Sequence, residues 1–153
     1  MKSHILSKMD YCNILLCTLS ENQLQPIQKV LNYALRFAYN LKGRDSASQY
    51  LKNAHILPVK FRIMFKSCVM VYKILNGSSP EYLKDFVTVI PPNHRYLRSS
   101  NDLYRLSDSP FGSCIRNSMI RNWNNLPMDI RFCQTLGSFK KLLKTHYFRI
   151  AFE

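Results

Sequence analysis

The run from Val59 to Leu75 constrains the fold more than any other segment, because it is too apolar to lie on a surface and too charged to cross a bilayer. Lys60, Arg62, Lys66 and Lys73 interrupt it, and a membrane span tolerates almost no such charge near its middle. Pro58 stands at the first turn of the expected helix, where a missing N–H costs little, and Asn76-Gly77 supplies a stop. Wound at about 100° per residue, the apolar side chains cover roughly three quarters of the circumference and leave Arg62, Lys66 and Lys73 in one stripe about 40° wide. A helix of this kind belongs in the middle of a bundle, with a single basic seam open to water.

Other segments supply what packs around it. Residues 4 to 19 read as one helix with Ile5, Leu6, Met9, Ile14, Leu15, Leu16 and Leu19 on a broad apolar side. Next, Leu24, Ile27, Val30, Leu31, Ala34, Leu35, Ala38 and Leu41 share one arc, while Gln28, Lys29, Asn32, Arg36 and Asn40 fill the other. With Pro26 near its start, that helix is expected to begin around Gln25 and to end at Gly43. Short helices follow over 46 to 53 and, opened by Ser79-Pro80-Glu81, through Phe86. Residues 88 to 102 read as loop, and Leu103, Tyr104 and Leu106 suggest a short strand. A helix is expected from about Cys114 to Asn125. The last, Leu136 to Ile150, sets Leu136, Phe139, Leu143, Tyr147 and Ile150 on one side and Lys140, Lys141 and Lys144 on the other. The expected fold is an all-α bundle of about six helices, with at most a short β-hairpin near residues 103 to 113. It divides into a helical region over 1–87, the 88–102 loop, and a C-terminal helical sub-lobe over 103–153 that packs on the first.

Lysine and arginine number 22 against 9 acidic residues, a net charge of +13, carried by both halves of the chain. A folded surface with that excess favours polyanions, nucleic acid first and anionic membrane second, because each neutralised phosphate releases condensed counterions. The five cysteines lack C-x-x-C pairing and any matching histidine spacing, so neither a zinc site nor a disulfide frame is signalled. They read as buried filler in a reducing, intracellular setting. Nothing at the N-terminus resembles a signal peptide.

Several blocks, taken in order, carry a family resemblance. The first are Ser3-His4-Ile5-Leu6-Ser7-Lys8-Met9-Asp10-Tyr11-Cys12-Asn13 and Leu24-Gln25-Pro26-Ile27-Gln28-Lys29-Val30. Then come His55-Ile56-Leu57-Pro58-Val59 with Arg62, Phe65 and Lys66, and Tyr72-Lys73-Ile74-Leu75-Asn76-Gly77 with Ser79-Pro80-Glu81-Tyr82-Leu83. Leu97-Arg98-Ser99-Ser100, Trp123-Asn124-Asn125-Leu126-Pro127 with Ile130-Arg131, and Phe139-Lys140-Lys141-Leu142-Leu143-Lys144-Thr145-His146-Tyr147-Phe148 complete the series. Together they resemble the C-terminal region, thumb and post-thumb, of LINE-type non-LTR retrotransposon reverse transcriptases of the jockey and chicken-repeat kind. The resemblance implies helices that pack on an upstream palm and fingers and hold a primer–template duplex during target-primed reverse transcription. It implies a nuclear or cytoplasmic ribonucleoprotein setting. It also leaves open whether Met1 is internal to a longer frame or starts a truncated copy.

Polymerases of this family need paired aspartates to hold two metal ions, and no such pair occurs here. The acidic residues stand singly and read as caps or solvated surface, so the chain is expected to be no enzyme, with no catalytic residue, metal, cofactor or small-molecule substrate. The expected nucleic-acid contacts are Arg62, Lys66 and Lys73 of the basic seam, Arg95 and Arg98 of the loop, and Lys140, Lys141 and Lys144 of the last helix. Their partner would be RNA, RNA–DNA hybrid or DNA duplex, met through phosphates. Tyr96 and Tyr104 would suit stacking on a single strand. Trp123 reads as a packing residue, with Ile120, Leu126 and Ile130 about it; His55 and His146 read the same way. Two other readings stand beside this one. Either the chain is an interaction module whose first helix, through Ile5, Met9, Leu15 and Leu16, docks on a missing polymerase core or a second copy, or it is a decayed remnant without a selected role.

Overall fold

The computed structural model describes residues 2–41, 46–87 and 114–153, with the side chains of 2–5 left aside. Within them the chain is all-α. Helix α1 spans Lys2–Asp10, a 3-10 helix Asn13–Thr18, α2 Glu21–Ala38, α3 Ala47–Asn53 and α4 Val59–Leu75. A second 3-10 helix, Glu81–Phe86, precedes α5 Cys114–Asn124, α6 Met128–Arg131 and α7 Leu136–Phe152. The expected loop at 88–102 and hairpin near 103–113 lie outside the described residues.

Helix α4 is the hub, as its pattern requires. Its first half sets Val59 and Ile63 into a cluster with Leu24, Leu31 and Leu35 of α2, Leu51 of α3 and Ile56. Its second half sets Cys68, Val69, Val71 and Tyr72 into another with Met119, Ile120 and Trp123 of α5, Leu126, Ile130, and Phe139, Leu143 and Tyr147 of α7. Residues before and after the expected 88–102 divide therefore share one core. Helix α7 runs antiparallel to α4: Tyr147 lies against Phe61, ring centroids 6.0 Å apart, and Phe139 stacks on Tyr72 at 4.3 Å. Phe139 also meets Trp123 at 5.8 Å, so a fully buried ring joins three helices and Trp123 is a packing residue. Such aromatic pairs contribute roughly 0.5–1.5 kcal/mol beyond the area they bury.

Helix ends follow from local chemistry. Gly77, at φ 66, closes α4 with Ser78 N–H donating to Lys73 O at 2.8 Å and Gly77 N–H to Ile74 O at 3.3 Å, the paired bonds of a left-handed terminus. His55 ends α3 in the same way: at φ 53, its N–H donates to Lys52 O and Ile56 N–H donates to Leu51 O. Asn40, not Gly43, ends α2, since Asn tolerates φ 50 and Leu41 N–H reaches Arg36 O. At the other end of α4 the side-chain oxygen of Gln28, on α2, accepts the otherwise orphaned Val59 N–H at 2.9 Å.

Several expectations need correction. The single helix over 4 to 19 breaks at Cys12, which takes φ 50. Ile14, Leu15 and Leu16 are adjacent and cannot all face one core on an α-helix, and the break sends Ile14 to one cluster and Leu16 to the other. Helix α2 starts at Glu21, not Gln25, because Gln23 Oε1 accepts from Ser20 N–H at 2.9 Å and anchors the first turn. Pro26 then sits inside the helix as an exposed residue, and the carbonyl that loses its i+4 donor belongs to Asn22, an exposed residue too. Helix α2 also buries only part of its apolar arc: Val30 is 57% exposed, and Tyr33 and Phe37 beside it are 69% and 77% exposed. On α7, Ile150 is exposed, because the last turn packs instead through Phe148 against His55 and Phe152 against the α2 cluster. Of the cysteines, all free, only Cys68 is buried; Cys12 and Cys114 are exposed and Cys17 and Cys133 half-buried.

Candidate nucleic-acid interface

The basic stripe of α4 lies beside α7. In an antiparallel pair, residues that follow the contacting side chains on both helices come out on the same side. Lys66 and Lys144 do so, since both line one cleft of about 280 Å³, together with Asp10, His55, Leu57, Arg62 and Phe65. Further along, Lys73 and Lys140 each follow a partner of the Tyr72–Phe139 stack, and the register carries the cationic ridge on in that direction. Lys140, Lys141 and Lys144 are exposed and Lys73 is half-buried. Lys66 to Lys73 is two helical turns, about 10 Å along the axis at 1.5 Å per residue.

Arg62 needs a correction. Expected to offer its guanidinium to phosphate, it is held by Asp10: Nε and Nη2 donate to Oδ1 at 3.1 and 2.7 Å, and Nη2 donates to Oδ2 at 2.7 Å. Lys66 Nζ stands 3.7 Å from the same Oδ2. With Arg62 and Asp10 only 19% and 23% exposed, the pair is a partly desolvated strut tying the end of α1 to α4. Asp10 is thus neither a cap nor solvated surface. It sits at the C-terminal end of α1, where a carboxylate opposes the helix dipole, and its compensation comes from across the bundle.

Of the expected contacts, the fold brings Arg62, Lys66 and Lys144 to one cleft, while Lys73 and Lys140 each follow a partner of the Tyr72–Phe139 stack. Lys141 projects from the outer side of α7. Arg95 and Arg98, with Tyr96 and Tyr104, lie outside the described residues. Lys60 belongs elsewhere: it pairs with Glu21, whose carboxyl the Lys60 hydrogen bond and charge hold below the usual carboxylate range. The sequence reading missed Asp10, Leu57 and Phe65 as cleft residues. It also took His55 for packing alone, although His55 is exposed and meets Phe148 with ring centroids 5.5 Å apart. A signal was present for His55, since the residue closing a helix in the left-handed conformation sits by necessity at a surface corner.

The core beneath disfavours ionisation of its buried thiol and phenol. Burial pushes the Cys68 thiol up to about 12, and Cys68 Sγ lies 3.3 Å from Tyr147 Oη, whose own ionisation burial also opposes. Among the described residues, no group of three or more His, Cys, Asp or Glu is placed to hold a metal ion, and no helix is long and apolar enough to cross a membrane. No protein-family model, no curated protein and no solved structure matches the chain.

Proposed function

We propose that this chain is a non-catalytic module that binds RNA or an RNA–DNA hybrid through phosphates, in the way its resemblance to the C-terminal region of LINE-type reverse transcriptases implies. The observation that carries the reading is convergence: Lys66 from α4 and Lys144 from α7 line one cleft, on the side along which Lys73 and Lys140 follow. With the overall charge of +13, such a ridge suits a polyanion laid along the α4–α7 seam. In the parent enzyme the upstream palm and fingers would supply the chemistry and this region the grip during target-primed reverse transcription. DNA duplex would bind the same ridge, since phosphates carry no sequence.

A salt titration tests the proposal. If Lys66, Lys73, Lys140 and Lys144 each meet a phosphate, log K against log salt for a duplex should fall with a slope of about −3.6, from roughly 0.9 per neutralised phosphate. Binding that is absent at low salt, or indifferent to salt, would remove the reading.

The alternative, an interaction module that docks on a polymerase core, draws on a different face from the one expected. Met9 and Leu16 are half-buried against the α2 cluster, Leu15 is exposed, and the Ile5 side chain lies outside the described residues. The open apolar stripe is Val30, Tyr33 and Phe37 on α2, at helical spacing, and an absent partner domain would cover it there.

A further inference from the structure

We infer that the cleft between α4 and α7 receives a single unpaired nucleotide of the bound strand, so that the module prefers duplexes carrying a single-stranded extension. The inference rests on the nucleic-acid reading above and narrows its ligand.

Size comes first. The cleft holds about 280 Å³, and a water's share of liquid is roughly 30 Å³, so it accommodates about nine waters' worth of ligand. A lone phosphate would leave most of that volume empty, whereas a base with its sugar and phosphate occupies it. The lining has two chemistries to match. Lys66 and Lys144 bring cations from two different helices, while the His55 ring and the half-buried Phe65 add aromatic surface and Leu57, 5% exposed, a little apolar surface more. A duplex resting on the ridge would reach the lysines alone, because its bases are stacked on one another and their faces are hidden. A nucleotide out of the stack presents both its phosphate and a flat face, and stacking of that kind is tolerant of base identity.

Charge agrees. Among the described residues Asp10 is the one carboxylate in the lining, and both its oxygens already accept from Arg62, with Lys66 beyond. Its repulsion of an incoming phosphate is therefore offset within the wall, and the cleft keeps a net positive balance from Arg62, Lys66 and Lys144 against Asp10.

Fluorescence anisotropy with three labelled probes tests this: a blunt RNA–DNA hybrid, the same hybrid with a short single-stranded extension, and single-stranded RNA. The extended hybrid should bind about tenfold more tightly than the blunt one at equal salt, as one stacked base warrants. Lys66→Ala with Lys144→Ala should abolish that preference. His55→Asn, which keeps a residue tolerant of the left-handed conformation but removes the ring, should weaken the extended probe several-fold more than the blunt one. Equal binding of blunt and extended hybrids by the unaltered chain would overturn the cleft assignment alone, as would a preference that survives the double lysine substitution. Failure to bind any probe at low salt, or displacement by polyglutamate as readily as by RNA, would overturn the nucleic-acid reading with it.

Discussion

Replacing Asp10 with Asn separates the two roles of the α4 stripe. The carboxylate accepts three contacts from Arg62, at 2.7 to 3.1 Å, and attracts Lys66 at 3.7 Å. Asn keeps the shape and one acceptor oxygen but loses the charge. Charge-assisted hydrogen bonds contribute roughly 1.5–3 kcal/mol each when well desolvated; this site keeps some contact with water, so the loss should be about 1–2 kcal/mol. For a chain of this size that corresponds to a fall in Tm of about 3–6 °C. Binding should move the other way. Arg62 and Lys66 are released toward the cleft, and one added phosphate contact steepens the salt slope by about 0.9, worth on the order of tenfold in affinity at 50 mM salt. Thermal unfolding followed by Trp123 emission reads the first effect, and anisotropy of a labelled hybrid across a salt series reads the second. A lower Tm with unchanged affinity and slope would refute the argument that the ridge lies on the path of the polyanion.

Phe139→Ala should cost about 3–5 kcal/mol, since a fully buried ring between Tyr72 and Trp123 leaves a cavity that three helices cannot close; an unfolding free energy from urea titration within about 1 kcal/mol of that of the unaltered chain would contradict the core assignment. In brief alkylation at pH 8 followed by mass spectrometry, the exposed Cys12 and Cys114 should be labelled and Cys68 spared, because a thiol pushed up to about 12 is roughly one part in ten thousand thiolate there; early modification of Cys68 would count against its burial. His146 is held below its ordinary value by burial and then by the Arg149 charge. Its neutral form is favoured by folding, so its contribution is present above about pH 6.5 and lost as pH falls through the lower folded value. Tm should therefore decline on acidification below that range, less steeply in His146→Gln, and identical pH profiles for the two chains would contradict it.

Much of the fold was legible in local pattern. The apolar coverage of Val59 to Leu75 demanded a central helix, Asn76-Gly77 its end, and Phe139, Leu143 and Tyr147 a docking stripe; each rule spans no more than a few helical turns, which is as far as backbone periodicity carries information. It failed where two demands competed. Apolar arcs on α2 and α7 were wider than their neighbours could cover, so Val30 and Ile150 stayed open. Adjacent apolar residues around Leu15 needed two cores at once, and the helix broke at Cys12 to serve both.

The sequence by itself determined a helical chain with a basic stripe on its most buried helix, because composition and spacing suffice for both. Only tertiary structure decided which cations remain available. Asp10 and Arg62 are 52 positions apart, and Lys66 meets Lys144 across two helices, so neither relation has any periodic trace along the chain. Charge attraction acts through space at the distances packing sets, and the antiparallel register of α4 and α7 sets them.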